Sequence, residues 1–472
     1  MTKTLTPDIC VIGAGSGGLS VAAGAAAFGV SVVLVEKGKM GGDCLNYGCV
    51  PSKALIAAGK HAHAMRHGAQ FGIADAEPDI DFRKVGRHVH GVIDAIAPND
   101  SVERFTALGV RVIRDHARFK DARTVIAGDH EIRARRFVVA TGSSPAIPPI
   151  PGLDTVEVLT NETIFDLTRR PAKLVIIGGG PIGSELAQAY RRLGAEVVVI
   201  EAETMLGRED PELAAIVMAR LRAEGIELRE HARVTQVERR GKSGVRVHVD
   251  NDEIIDGTHL LIAAGRKANV EGLDLDKAGI DFTPKGVTVS DTLRTTNRRV
   301  YAIGDVAGGP QFTHVAGYHA GLVIRAILFR LKAREDRTIL PRVTYTDPEI
   351  AHVGLGEEDA RKAHGRINVL RWPYAENDRA QAERQTQGFV KLIADRKERI
   401  VGVSIVGAQA GELIGIWALA ISKGMRVRDM TGYVPAYPTM GEIGKRAAVS
   451  YFAAAARKPI VRRLVRFLRI FG

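Results

Sequence analysis

The feature that most constrains this chain is a strand, glycine turn and helix that occur twice. Asp8-Ile9-Cys10-Val11-Ile12 is a short apolar strand that runs directly into Gly13-Ala14-Gly15-Ser16-Gly17-Gly18, and the small-residue stretch Leu19 to Phe28 then reads as a helix. Gly13 permits the tight turn, Gly15 lets backbone approach a pyrophosphate, and Gly18 lets the helix pack closely on the strand. The strand Ser31 to Val35 follows and ends in Glu36, a carboxylate placed to accept from ribose hydroxyls. The same arrangement returns when Leu174-Val175-Ile176-Ile177 enters GGGPIG, with Gly178, Gly180 and Gly183, a helix from Ser184 to Leu193, and a strand Val197 to Ile200 ending in Glu201. Each acid lies 18 residues beyond the third glycine of its motif (36 − 18 and 201 − 183), so one βαβ unit is built twice. Two dinucleotides on one chain imply electron transfer between them.

Between Glu36 and the first long helix lies GGDCLNYGCVPSK, with Cys44 and Cys49 spaced C-x4-C. That spacing places the two cysteines one helical turn apart, within reach of a disulfide. Pro51 suits a first helical turn, so the partial positive charge of that terminus sits beside Cys49 and favours its thiolate. Zinc is the alternative for paired cysteines, but the only third one, Cys10, sits in the first strand as a buried small apolar residue. His63 and His67 have metal-ligand spacing at i, i+4. With no carboxylate or cysteine nearby in sequence, they read as a polar helix face, and no metal site is assigned.

The two motifs flanking GGDCLNYGCVPSK resemble the flavin-dependent pyridine nucleotide-disulfide oxidoreductases, the family of dihydrolipoamide dehydrogenase, glutathione reductase and mercuric reductase. Ala140-Thr141-Gly142, Ala264-Gly265-Arg266, Tyr301-Ala302-Ile303-Gly304-Asp305 and the segment PRVTYTDPEIAHVG match further motifs of that family. The resemblance implies an α/β protein with two Rossmann-like domains and a C-terminal α/β dimerisation domain. It places FAD binding at 1–149 and 278–341, NAD(P) binding at 150–277, and the dimerisation domain at 342–472. It further implies that the first fingerprint, Gly13, Gly15 and Gly18 with Glu36, holds FAD, that the second, Gly178, Gly180 and Gly183 with Glu201, holds NAD(P)H, that Asp305 bonds the flavin's ribityl chain, and that Gly42, Thr141, Gly142, Gly265, Arg266 and Gly304 are further cofactor contacts. Cys49 would be the thiol against the flavin and Cys44 the outer thiol. Lys53 and Glu185 match an ion pair near the two rings. A cation at Lys53 favours negative charge on the reduced flavin. Glu201 accepts from a ribose 2′-hydroxyl and repels a 2′-phosphate, so NADH is expected over NADPH.

The pattern breaks at Ala436-Tyr437-Pro438-Thr439-Met440-Gly441-Glu442. Disulfide reductases of this family carry a histidine base where this chain has Tyr437, with the glutamate matching Glu442. A phenol titrates near ~10 and an imidazole near ~6.5, so Tyr437 is a poor base at neutral pH. The stretch is similar to that of mercuric reductases, where a tyrosine lines the metal-ion site. Those proteins also present a second cysteine pair near their C-terminus, and Arg469-Ile470-Phe471-Gly472 holds none. Asp43 departs from the threonine common before the first cysteine and adds negative charge beside the outer thiol. His314, in a family-matched stretch, is expected near the flavin.

The net charge of +12 (66 − 54) raises nucleic acid as a partner, but six basic residues fall in 457–472 (Arg457, Lys458, Arg462, Arg463, Arg466, Arg469) and the remainder of the chain is only mildly basic. No zinc-finger or aromatic-basic RNA-binding pattern accompanies them, so no nucleic-acid partner is expected. After Pro459 the apolar residues follow a helical period with arginines on the other face. This basic amphipathic tail suits either docking on the dimerisation domain or reversible attachment to an anionic membrane surface or membrane partner. Three cysteines cannot form a disulfide framework and no basic-then-apolar leader opens the chain, which points to the cytoplasm. The expected enzyme is a homodimer passing electrons from NADH through FAD to Cys44-Cys49 and on to a lipoyl-type disulfide. Alternative acceptors are a metal ion or a quinone, and a further alternative is a redox-responsive flavoprotein docked to a membrane partner.

Overall fold

The structure is a computed structural model and describes residues 3–241, 244–456 and 459–472. Of the basic tail residues, Arg457 and Lys458 lie outside the described residues. The chain divides into two compact units, one of 1–179, 186–202 and 227–335, the other of 180–185, 203–226 and 336–472.

The first unit is built on two five-stranded parallel sheets. In one, the strand order is Val300–Ala302, Arg136–Val139, Ile9–Ile12, Val32–Val35, Arg111–Ile113. Both faces of this sheet are covered, so Ile9–Ile12 and Val32–Val35 are apolar without alternation and buried throughout. The first strand pairs with Val32–Val35 on one side and Arg136–Val139 on the other. Strand order reverses there, and in open α/β sheets ligands bind outside the carboxyl ends of the strands at such a point. The GAGSGG turn occupies that end.

The other sheet repeats the plan, with Lys173–Ile177 between Glu196–Ile200 and His259–Ile262, so GGGPIG leaves a second reversal point. The helix after the first motif, Ser16–Ala27, starts three residues earlier than its apolar stretch suggests, because Ser16 and Gly17 already carry its first turn. Its glycines admit close neighbours: a Cβ on Gly24 would stand 2.5 Å from Ile324 of the helix Thr313–Phe329.

The second unit centres on an antiparallel sheet ordered Arg342–Thr344, Glu349–Gly354, Ile400–Gly407, Phe389–Ala394, Asn368–Pro373. The central strand Ile400–Gly407 is buried throughout, and Ile405, Trp417, Met430 and Ile443 belong to one apolar core with the helices Ala410–Ser422 and Glu442–Ala456. Within this core unit Lys391 is buried. Its ammonium meets Asp210 at 2.6 Å and Glu212 at 2.9 Å, which supplies the partners a buried cation needs.

Candidate active site

The two acid-tipped βαβ motifs have matching local geometry. Gly13 and Gly178 take φ of +105° and +112°, the left-handed region that glycine enters without strain. Glu36 accepts from the Ala14 amide at 2.6 Å and from the Gly38 amide, also at 2.6 Å, while Glu201 accepts from the Gly179 amide at 2.7 Å. Each acid is thus tied to the amide that follows the first glycine of its own motif. Carboxylate oxygens carry two acceptor sites each, so capacity toward a ribose remains. A Cβ on Gly15 or on Gly180 would meet no protein atom within 4 Å. These two glycines leave space beside the turn that a side chain would fill. Gly18, by contrast, is required by the fold itself, since its Cβ would fall 1.9 Å from the Gly13 carbonyl oxygen. Gly183 is buried in the helix Pro181–Arg192.

The dithiol loop is attached to the first of these turns. Gly42 has φ +60°, and a Cβ there would lie 2.7 Å from the Gly15 Cα, so only glycine starts the helix Gly42–Asn46 this close to the nucleotide turn. Cys44 belongs to that helix and Cys49 opens a separate one, Cys49–Met65. The single helical turn expected across the pair is interrupted at Tyr47 and Gly48. The interruption places Cys49 at a helix N-terminus, with Pro51 in its first turn as expected. Both cysteines are unlinked. Thr313 Oγ1 lies 3.5 Å from the Cys49 sulfur.

This environment divides the roles of the two sulfurs. The Cys49 thiol is lowered from 9.0 to about 6, first by the hydrogen bond from Cys44, then by Thr313 and by the charge of Lys53, against burial and the Asp43 carboxylate. Cys44 is pushed far up, chiefly by holding its proton toward Cys49 and then by burial. In the reduced pair the proton therefore rests on Cys44 and the charge on Cys49. Ultraviolet thiolate absorbance of the reduced protein is expected to rise with a midpoint about 6. A single transition at the value of an ordinary cysteine thiol, near ~8.5, would exclude this arrangement.

Asp43 does not present a bare charge to a substrate. Its carboxylate accepts from Asn161 at 3.0 Å and pairs with Arg266 at 3.1 Å. Arg266 donates through Nε to Ser143 Oγ at 2.7 Å, and Ser143 Oγ donates to Asp305 at 2.6 Å. A chain of polar contacts thus runs from the residue beside Cys44 to Asp305, whose carboxyl is raised above the ordinary range by burial. Gly304 donates its amide to His319 Nδ1 at 3.1 Å, and His319 Nε2 meets Glu335 at 3.0 Å, the His319 ring being buried. Thr141 donates to the Asn269 carbonyl, and Gly142 and Gly265 take left-handed φ values of +69° and +122°. Sequence reading missed Thr313, Ser143 and Asn161. Its reading of His314 stopped one residue past the hydroxyl that touches the sulfur; the His314 ring stacks on Phe312 at 5.3 Å.

Glu185 and the Tyr437 region belong to the second unit. Glu185 is buried and accepts from the Tyr345 amide at 2.9 Å. Tyr437 is 70% exposed and donates to Asp378 at 3.0 Å. That hydrogen bond, the Asp378 charge and Glu442 raise its phenol above the ordinary value, so it stays protonated at neutral pH. Glu442 is the first residue of the helix Glu442–Ala456. The His63 and His67 rings lie 4.0 Å apart, tilted by 31°, and among the described residues no group of three or more His, Cys, Asp or Glu is arranged to hold a metal ion.

Two nucleotide turns and a dithiol at a helix N-terminus define a dinucleotide-dependent thiol oxidoreductase. The chain belongs to the pyridine nucleotide-disulphide oxidoreductase family, whose model matches residues 7–320, and the family's dimerisation domain matches 340–448. It is 34% identical over 449 residues to a mercuric reductase of Lysinibacillus sphaericus, covering 94% of this chain and 82% of that protein. It is 32% identical over 457 residues to a dihydrolipoyl dehydrogenase of Bacillus subtilis, covering 95% and 99%. Among solved structures, a Cu(II) complex of the HOCl-induced flavoprotein disulfide reductase RclA from Escherichia coli superposes with a TM-score of 0.84 at 27% identity, covering 93% and 98%.

Family members are FAD-dependent enzymes that use NAD(P)H, and the dimerisation domain supports a homodimer. The residues present fit an FAD: the space beside Gly15 lies at the reversal point of a sheet, next to the dithiol loop, with Glu36 and Asp305 supplying acceptors.

Proposed function

We propose that this chain is an NADH-dependent flavoprotein reductase that delivers electrons through Cys44 and Cys49 to a disulfide of the lipoyl type. The observation that supports this reading most is the dithiol itself, with Cys49 opening a helix just after the short helix that carries Cys44 and with Thr313 Oγ1 3.5 Å from the Cys49 sulfur. FAD, when bound, supplies two-electron transfer between the nicotinamide and the sulfur pair. The protein's own residues divide the remaining work. Gly13, Gly15, Gly18 and Glu36 seat the flavin nucleotide, Gly42 starts the dithiol helix against them, and Thr141, Gly142, Gly265, Arg266, Gly304 and Asp305 line the rest of its site. Gly178, Gly180, Gly183 and Glu201 seat NADH. Lys53 stabilises negative charge beside Cys49, and Glu185 serves the nicotinamide side. Cys44 exchanges with the external disulfide. The net reaction consumes NADH, a proton and a disulfide and yields NAD⁺ and a dithiol.

We assign the flavin domain to 1–149 and 278–341, the NADH domain to 150–277 and the dimerisation domain to 342–472. In the homodimer, Tyr437 and Glu442 of one subunit face the dithiol of the other. We place the enzyme in the cytoplasm, with its basic tail directed to the membrane surface. Among the described residues no helix is long and apolar enough to cross a membrane.

A second reading, reduction of a soft metal ion, is favoured by Tyr437 standing where disulfide reductases have histidine, and by the mercuric reductase relatives. Anaerobic titration with NADH, followed by reoxidation with lipoamide, Hg²⁺, Cu²⁺ or a soluble quinone, separates the two. Lipoamide reoxidation that requires Cys44, with kcat/KM for NADH at least about tenfold above NADPH, is the expected result. Rapid reoxidation by Hg²⁺ with none by lipoamide would replace the first reading with the second.

A further inference from the structure

The helix Pro459–Leu468 and the turn Arg469–Phe471 have no role in the chemistry above. Ile460, Leu464, Phe467 and Phe471 recur at intervals of three and four, so they fall on one face, with Val461, Leu468 and Val465 beside them. Arg462, Arg463, Arg466 and Arg469 occupy the opposite side. The Phe467 and Phe471 rings meet edge to face at 5.3 Å, consistent with a shared face. Ile460 and Phe471 are 74% exposed and Leu464 and Phe467 55%, so the face lies uncovered along about 18 Å of helix. No acidic residue follows Glu442 in the sequence.

We propose that this helix is a docking surface for an anionic lipid bilayer, lying in the interface with its apolar face among the acyl chains and its arginines among the headgroups. Charge decides the occupant. The polar face carries arginine with no balancing acid, and a second copy of a chain with 66 basic and 54 acidic residues is a poor electrostatic match for it. A bilayer surface rich in anionic headgroups supplies the missing charge, while its acyl region accepts an apolar face of this length. A single helix of this size gives reversible attachment, so the enzyme would partition between solution and membrane with ionic strength.

The test uses the full-length flavoprotein dimer and co-sedimentation with phosphatidylcholine vesicles with or without about one third phosphatidylglycerol. Binding to the anionic vesicles is expected to exceed binding to the neutral ones by at least about tenfold and to fall with added salt. The double variant Arg462→Gln, Arg463→Gln should weaken it about thirtyfold, and Leu464→Ser with Phe467→Ser should weaken it as strongly. Deletion of 459–472 should abolish it while flavin absorbance and NADH turnover stay unchanged. Equal binding by the deleted chain, or salt-independent binding to both vesicle types, would overturn the proposal. So would absence of vesicle binding together with dissociation of the dimer on deletion, an outcome that assigns the face to a second copy.

Discussion

Replacing Cys44 by serine is expected to reduce turnover with a disulfide acceptor by at least about a thousandfold, because the outer sulfur that exchanges with the substrate is gone and Cys49 alone cannot complete a disulfide. A serine hydroxyl can still donate to the Cys49 sulfur, so the local hydrogen bond survives while the chemistry does not. NADH oxidation with a soluble quinone, which does not require the sulfur pair, should stay within about twofold of wild type. The two assays on one preparation separate loss of exchange from loss of fold. Retention of lipoamide reduction by the Cys44→Ser protein would remove the dithiol from the route.

The Tyr437→His substitution should raise dithiol–disulfide exchange about a hundredfold, toward the lower end of what a positioned base contributes. Tyr437 already donates to Asp378, with Glu442 also bearing on its titration, so the position is prepared to hold an imidazolium. Both carboxylates favour the charged ring, which places its titration above the ordinary ~6.5. The rate should accordingly acquire an ionisation near neutrality that the tyrosine enzyme lacks. An unchanged rate and an unchanged pH profile would show that residue 437 stands outside the reacting path, and would favour an acceptor that needs no proton transfer from the protein.

The elements that sequence revealed are those whose determinants lie close together along the chain. The two glycine turns, their acids and the helix start at Cys49 each depend on residues within one βαβ unit, and local steric rules suffice to place them. Other features required the folded chain. At the break, Gly48 packs close to Asp43, whose carboxylate would stand 2.9 Å from a Cβ there. The spacing of the two cysteines suggested one continuous turn because it carries no trace of that contact. Thr313 reaches Cys49 from a helix 264 residues away, and Ser143 meets Asp305 across 162. Such contacts are set by packing between distant segments, and a lone hydroxyl in an ordinary helix leaves no periodic or spacing signal. Asp43 illustrates the same limit: its type suggested a charge offered to substrate, and its partner Arg266 could be identified only in space.

That guanidinium joins two tasks that an engineer would wish to adjust separately. Arg266 holds Asp43, the residue beside Cys44, through Nη2, and holds Ser143, which donates to Asp305, through that same Nη2 and through Nε. A change made at either end is transmitted to its counterpart, so acceptor reactivity and cofactor retention in this protein should vary as one trait.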